Sequence, residues 1–442
     1  MVGLTLSRML MGFVDFVVVS KLNSVDALAA ISPCTLLLFA VACVGMGIAQ
    51  SAQTFIAQAV GRGEPHRAGR YVWQNFILAA IATTASVPIA LNVHIWIPWL
   101  GHRGKMDEHV IQLGVEFMTY ALWSIGPITA TAGIESFWNG VSKPRVAFVG
   151  VLAALATITV CNVVFVFGYF GFPAMGIAGS GLATLVGWLV RLVVVATPLF
   201  WRSIDDVYHT RRAAGFDLHT FWDMLRVGCP IAFQWLVDIG AWVVFQWIML
   251  PPYGPVAQAA ANIAFQYMHL SFMPALGIGM ALTTQVGNAI GAGAADVAIQ
   301  RVYVARRLIV GYMGLIGVLF LLAGKPLAGF FTNDALVIQH CFYMLLWTAL
   351  FQLSDAICVT YSFAARGAGD TKVPALLFAI VCWGVFVLGG IVIRRALPQL
   401  GYNGPWMMCT AYIIILGVLL WWRFHTEKWR DIKLFAEPAK PA

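Results

Sequence analysis

The sequence predicts an all-α integral membrane protein with twelve transmembrane helices, arranged as two six-helix lobes related by a pseudo-two-fold axis along the membrane normal. Composition, a series of long apolar runs and an internal repeat carry that prediction. The 442 residues are 60% hydrophobic and only 10% charged, with a mean hydropathy of +0.82. Such values lie outside the range of water-soluble domains. A helix needs about 20 apolar residues to cross the hydrocarbon core. Runs of that kind cover residues 1–20, 29–53, 71–93, 110–138, 146–168, 174–200, 222–249, 257–288, 303–322, 336–364, 374–393 and 402–422. Many contain Gly or Pro at mid-span, where a neighbouring helix or water must satisfy the loosened backbone.

The repeat appears when the end of the second span is laid over the end of the eighth. Gly47-Ile48, Thr54, Gln58 and Gly61-x-Gly63 correspond to Gly277-Ile278, Thr284, Asn288 and Gly291-x-Gly293. After the fourth and tenth spans, Ser136-Phe137, Gly140 and Lys143-Pro144 are echoed by Ser362-Phe363, Gly367 and Lys372-x-Pro374. Each half holds six spans, an even number, so the two copies share one orientation, as in parallel-repeat transporters. The expected organisation is an N-terminal lobe at 1–200, a polar cytoplasmic linker at 201–221, a C-terminal lobe at 222–424 and a cytoplasmic tail at 425–442. The repeat maps Pro230 onto a position at or just before residue 1, so the first span is expected to be clipped at its start.

Lys and Arg enrich cytoplasmic loops, and their distribution orients the chain. With the N-terminus inside, nineteen fall in inner segments, among them Arg62, Arg67, Arg70, Lys143, Arg145, Arg191, Arg306, Arg307 and Arg366. Six fall outside: Lys21, Arg103, Lys105, Lys325, Arg394 and Arg395. With Arg8 and Arg226, at or within span edges, these account for all 27. Both termini are therefore expected in the cytoplasm. The net charge of +8 reflects that inner face rather than a nucleic-acid partner. The eight cysteines and nine histidines show no metal-ligand spacing, and the cysteines read as small core residues.

Three aspartates stand alone in apolar runs: Asp15, Asp238 and Asp355. An ionised carboxylate at a span centre costs about 2.5–3.5 kcal/mol by insertion scales, so such residues usually serve cations, protons or substrates. Gln234, Asp238, Trp242 and Gln246 recur every four positions and drift only about 40° per step around a helix, forming one polar-aromatic stripe. Asn262, Gln266 and His269 form another stripe on the eighth span, and Gln352 shares a face of the tenth with Asp355. Lipid cannot solvate these faces, so they are expected to meet around a wet cavity. Cross-linking of helices is the competing role for Gln234, Gln266 and Gln352. For Asp15 the competing role is an ion pair with Arg8, seven residues earlier on the same face. Glu116 and Glu135, near opposite ends of the fourth span, are expected at the membrane interfaces. Abundant Trp and Met suit a soft apolar cavity for flat cations.

Taken in order, Met11-Gly-Phe-Val-Asp15, Asp26-Ala-Leu-Ala-Ala30, Gln58-Ala-Val-Gly-Arg-Gly63, Phe172-Pro-Ala-Met-Gly-Ile-Ala-Gly-Ser-Gly-Leu-Ala-Thr184, Gly228-Cys-Pro230 and Arg366-Gly-Ala-Gly-Asp-Thr371 resemble the multidrug and toxic compound extrusion (MATE) transporters along essentially the whole chain. The resemblance is to the NorM-like branch, because Asp238 and Asp355 fall where that branch has acids of a second-lobe cation site. It implies a coupling-cation site of Asp238, Asp355, Gln234 and Gln266, taking Na⁺ or H⁺, with no other metal and no cofactor. It also implies substrate or proton contacts at Asp15, Asn162 and Asn262. Asn162 stands where some relatives have an aspartate, which shifts weight to the second lobe. Arg8 stands where the family normally has an uncharged residue.

The implied activity is antiport, by alternating access, of cationic or zwitterionic amphiphiles against Na⁺ or H⁺. The implied setting is the bacterial cytoplasmic (inner) membrane, as a monomer in the lipid bilayer with no nucleic-acid partner. A lipid-linked precursor flippase of the same wider superfamily is the alternative, and it calls for a basic cavity. A remoter one is an intramembrane aspartyl protease, suggested by Gly367-Ala-Gly-Asp370, but that motif lies at a loop and has no Tyr-Asp partner. Arg67-Ala-Gly-Arg70 resembles a major-facilitator loop signature, yet His66 stands where an acid is needed.

Overall fold

The computed structural model describes residues 1–3, 25–103 and 107–435, and among the described residues there is no strand. The helices are α1 (Val25–Gly61), α2 (Ala68–Leu91), α3 (Val93–Arg103), α4 (Glu108–Ala121), α5 (Ile125–Gly140), α6 (Pro144–Phe167), α7 (Ile177–Ala196), α8 (Arg202–Tyr208), α9 (Leu218–Val244), α10 (Gly254–Gly291), α11 (Ala295–Gly329), α12 (Ala335–Ala368), α13 (Lys372–Val381), α14 (Gly389–Ala396) and α15 (Asn403–His425). Each expected span from the second to the twelfth is helical. The first, with Arg8 and Asp15, lies outside the described residues.

Two departures from the expected spans have local causes. The fourth span is two helices, α4 and α5, joined by a 3₁₀ turn at Leu122–Ser124. Pro127, in the first turn of α5, cannot donate a backbone bond, and its ring crowds the preceding turn. The loop between α2 and α4 folds as α3, which buries Val93 and Ile97 and leaves Ile95 and Trp99 exposed. Asp107 then caps α4 by accepting from the His109 N–H at 2.9 Å.

The chain divides into two compact units, the first running to Ala232 and the second beginning at Phe233, within α9. In the first unit, Gly47 of α1 lies so close to α9 that a Cβ would come 2.5 Å from the Ala232 Cα, and Gly228 meets Ile48 similarly. Small residues are what allow membrane helices to approach to backbone contact. The polar segment before α9 is tied down. Trp73 Nε1 donates to Thr210 O at 2.6 Å, and Gln74 Nε2 donates to Gly215 O at 3.0 Å. The Arg211 backbone N–H donates to Asp205 Oδ1 at 2.6 Å. That bond, with support from Arg212, holds the Asp205 carboxyl below the usual carboxylate range.

Glu135 corrects an expectation. It is buried rather than interfacial, and it accepts from Arg191 Nε at 2.8 Å with both side chains almost fully enclosed. Arg191, whose guanidinium also lies 4.7 Å from the Trp188 ring centroid, is therefore no loop charge but a bolt between α5 and α7. Arg306 and Arg307 likewise lie within a helix, α11.

The second unit has an analogous bolt. Asp370, just past α12, accepts from Arg423 Nε of α15 at 2.8 Å. The chain after α15 folds back onto this end. Trp429 is buried, stacks on Phe424 at 5.2 Å and donates to the Phe424 carbonyl, while Arg430 pairs with Asp296 at 3.0 Å. The core is aromatic, with Phe245 in contact with Phe265, Phe386 and Trp406, and Phe265 also against Trp406.

Two outcomes are expected. Glu135→Gln leaves a buried guanidinium uncompensated and should cost about 3–5 kcal/mol of stability, whereas Glu135→Leu with Arg191→Met should recover most of it. Thermal unfolding in detergent reads both, and an unchanged melting temperature in Glu135→Gln refutes the bolt. Asp205→Ala should speed hydrogen exchange at the Arg211 and Arg212 amides at neutral pH. Because the folded pKa is depressed, wild-type protection should hold above the ordinary carboxylate pKa and fade as the pH falls through the folded value.

Candidate functional site

The sequence stripes become faces of α9, α10 and α12. On α9, Phe233 and Leu236, with Trp247 in the turn that follows, are exposed apolar residues suited to lipid. Asp238 lies on a different face, half-buried, and its Oδ1 accepts from Trp242 Nε1 at 3.1 Å. Trp242 is wedged edge-on between Phe265 of α10, at 5.3 Å, and Phe386, at 5.2 Å. Phe386 in turn stacks on Tyr412 of α15 at 5.3 Å and 10°. Asp355, also half-buried, projects from α12 and lies within electrostatic range of Asp238.

Backbone irregularity makes this packing fit. A π turn at Phe245–Met249 follows α9, and a second at Cys382–Leu388 separates α13 from α14. The added residue in a π turn rotates the face that follows it, and such turns occur often at functional sites. Here they bring Phe245 and Phe386 together at 5.2 Å beside Trp242. Trp383, in the second π turn, also donates to the Val237 carbonyl at 3.1 Å, next to Asp238.

Charge compensation separates the carboxylates. Glu135 and Asp370 have guanidinium partners. Asp238 and Asp355 make no ion pair within 4 Å among the described residues, and Asp238 contributes to the electrostatic environment of Asp355. A like charge within electrostatic range in a poorly polarisable setting favours any cation, proton included, that neutralises one of the two carboxylates.

The remaining candidates are placed differently. Gln234 is buried, and its Oε1 accepts from Arg366 Nη2 at 2.8 Å. Arg366 also stacks on Phe363 at 4.8 Å, so this end of α12 lies within the unit rather than in a loop. Gln352 donates to Ser271 Oγ at 3.2 Å, a cross-link between α12 and α10. Asn262 and Gln266 lie on an exposed face of α10 with His269, and no hydrogen bond joins either to the carboxylates. Asn162 is fully buried in α6 of the first unit. Asp15 lies outside the described residues. Sequence reasoning missed Tyr412, Cys382 and Cys409, which all lie in the electrostatic reach of Asp238. The phenolic hydroxyl of Tyr412 at mid-run in the twelfth span was the available signal.

A family model described as MatE matches the chain twice, over residues 4–167 and 230–392. The chain belongs to the MatE family. The two matches fall one in each half, as the internal repeat requires. Among curated relatives, multidrug resistance protein MdtK of Edwardsiella ictaluri is 25% identical over 95% of this chain and 93% of its own. Multidrug resistance protein NorM of Burkholderia vietnamiensis is 27% identical over 96% and 91%. A solved structure of a MATE protein in a bent conformation superposes with a TM-score of 0.86 at 18% identity, over 97% of this chain and 94% of that one, and shows the same fold. This MatE chain is a transporter, not an enzyme. In its Gly367-Ala-Gly-Asp370 motif, the aspartate is occupied by Arg423.

Compensation predicts opposite signs for two mutations in this chain. Asp370→Asn, which strands Arg423, should lower the melting temperature in detergent. Asp355→Asn, which removes one of two mutually repelling charges, should leave it unchanged or raise it. Equal losses in both variants would show that Asp355 has a hidden structural partner.

Proposed function

We propose that this chain exports cationic or zwitterionic amphiphiles in exchange for an inward-moving monovalent cation, Na⁺ or H⁺, bound at Asp238 and Asp355. The observation that carries this reading is the pair of neighbouring carboxylates without a fixed cation. A structural acid in a membrane protein is expected to have a partner, as Glu135 and Asp370 do. An acid held without one is suited to a mobile cation. Curated relatives are named for multidrug resistance.

On this reading, the cation and the drug compete for the negative charge of the second unit. Arrival of the cation from outside neutralises one carboxylate of the pair and favours release of the drug, and its departure to the cytoplasm restores the attraction. Alternating access couples the two steps. Both termini face the cytoplasm of a bacterial inner membrane, and one chain suffices for the cycle. A flippase for lipid-linked precursors would need free guanidinium groups for a pyrophosphate. Arg191 is bound to Glu135 and Arg366 is hydrogen-bonded to Gln234, while Arg306, which has no carboxylate partner among the described residues, borders a slot open to the outside of the unit and is remote in the chain from the carboxylate site.

In proteoliposomes with an imposed Na⁺ or pH gradient, Asp238→Asn and Asp355→Asn should each reduce gradient-driven efflux of a cationic dye by tenfold or more, on the order of 1.4 kcal/mol in coupling. Undiminished coupled efflux in both variants overturns the assignment. The gradient that drives the wild type identifies the ion.

A further inference from the structure

In the second unit, α11 and α15 each pack along α12 and leave a slot between them on its surface. The slot has a volume of about 190 Å³. Ile414, Val418 and Trp421 line it from α15, Ser354 and Ile357 form its floor, and Arg306 of α11 stands at its edge. Gly417 opens the floor, since a Cβ there would lie 3.0 Å from the Ser354 carbonyl. Ile414, Val418 and Trp421 are all strongly exposed, so the slot opens outward from the unit. Tyr303 and His425, 3.4 Å apart, link α11 to α15 at the end where the chain continues into its basic tail.

Arg306 is the anomaly. It is half-buried in a spanning helix, its guanidinium lies 5.0 Å from the Tyr303 ring centroid, and its one hydrogen bond, to Tyr361 Oη, is long at 3.4 Å. Among the described residues no carboxylate lies within 4 Å of it, although Arg191, Arg423 and Arg430 all have such partners. Arg307 lies beside it, exposed. Arg306 is three residues inside the apolar run that begins at 303, about 5 Å below the interface by helical rise. That is the depth from which an arginine reaches the headgroup layer.

We propose that this slot binds an anionic phospholipid, with an acyl chain lying along Ile414, Val418 and Trp421 and the phosphate against Arg306. Basic pockets between membrane helices suit such headgroups. A cationic edge repels the organic cations of the proposed transport. The apolar lining demands an alkyl chain, which a free phosphate lacks.

The test uses the purified full chain in detergent, with spin-labelled phosphatidylglycerol and phosphatidylcholine as probes. The wild type should retain phosphatidylglycerol about fivefold more tightly, the effect of one basic residue near an anionic headgroup. Arg306→Gln should abolish that preference. Val418→Trp, which keeps the charge and fills the slot, should weaken retention of both lipids. Excess inorganic phosphate should not displace phosphatidylglycerol. If Arg306→Gln keeps the wild-type preference, if Val418→Trp binds both lipids normally, or if phosphate competes as well as lipid does, the proposal is wrong.

Discussion

Every ionised group placed inside this protein has to be compensated, because the surrounding hydrocarbon solvates no charge. Glu135 meets Arg191, and Asp370 meets Arg423. Each of these pairs joins the region of the fourth span of its half to the sixth, so the two halves repeat the device with different residues at different heights. Such bolts are costly to assemble and costlier to break. They give the rule against which Asp238 and Asp355 are exceptions.

The exceptions persist because the structure around them is over-determined. Trp242 is held by two aromatic contacts and by its bond to Asp238, and Phe386 is held by Tyr412 on its other side. The π turns in the seventh and eleventh spans are what let these rings interlock. A straight α-helix through Cys382–Leu388 would turn the following residues by a fraction of a turn, moving Phe386 off its partners. Two uncompensated carboxylates can thus be kept near one another by aromatic packing, without a fixed cation to neutralise them.

Much of this was legible in the residues. Apolar runs located the spans, since periodicity and length are coarse signals that lipid burial makes strong. The lone aspartates Asp238 and Asp355 marked the candidate site, because an acid in an apolar run is conspicuous. What the sequence hid was pairing. Glu135 and Arg191 are far apart in the chain, and each alone reads as a charge near a span end, so their mutual burial was invisible. The break at Pro127 could be read from one residue, whereas the π turns could not, because nothing in Phe245–Met249 or Cys382–Leu388 distinguishes an extra residue from a regular turn. Tyr412 was overlooked because a tyrosine in a membrane span is usually an interfacial anchor.

Gln234 shows how pairing alters the chemistry of a stripe. It lies one helical turn from Asp238 on α9, and spacing alone made the two equivalent as cation ligands. Its amide oxygen, however, already accepts from Arg366, and a guanidinium next to a ligand oxygen opposes a second cation there. The same bond links α9 to α12 about 16 Å along α12 from Asp355, at the helical rise of 1.5 Å per residue. Near one level, therefore, these helices are joined by a charge-assisted hydrogen bond, and at another they present like charges to each other. On the proposed transport reading, a cation bound at Asp238 and Asp355 would ease the repulsion at the second level and leave the Arg366–Gln234 bond at the first intact.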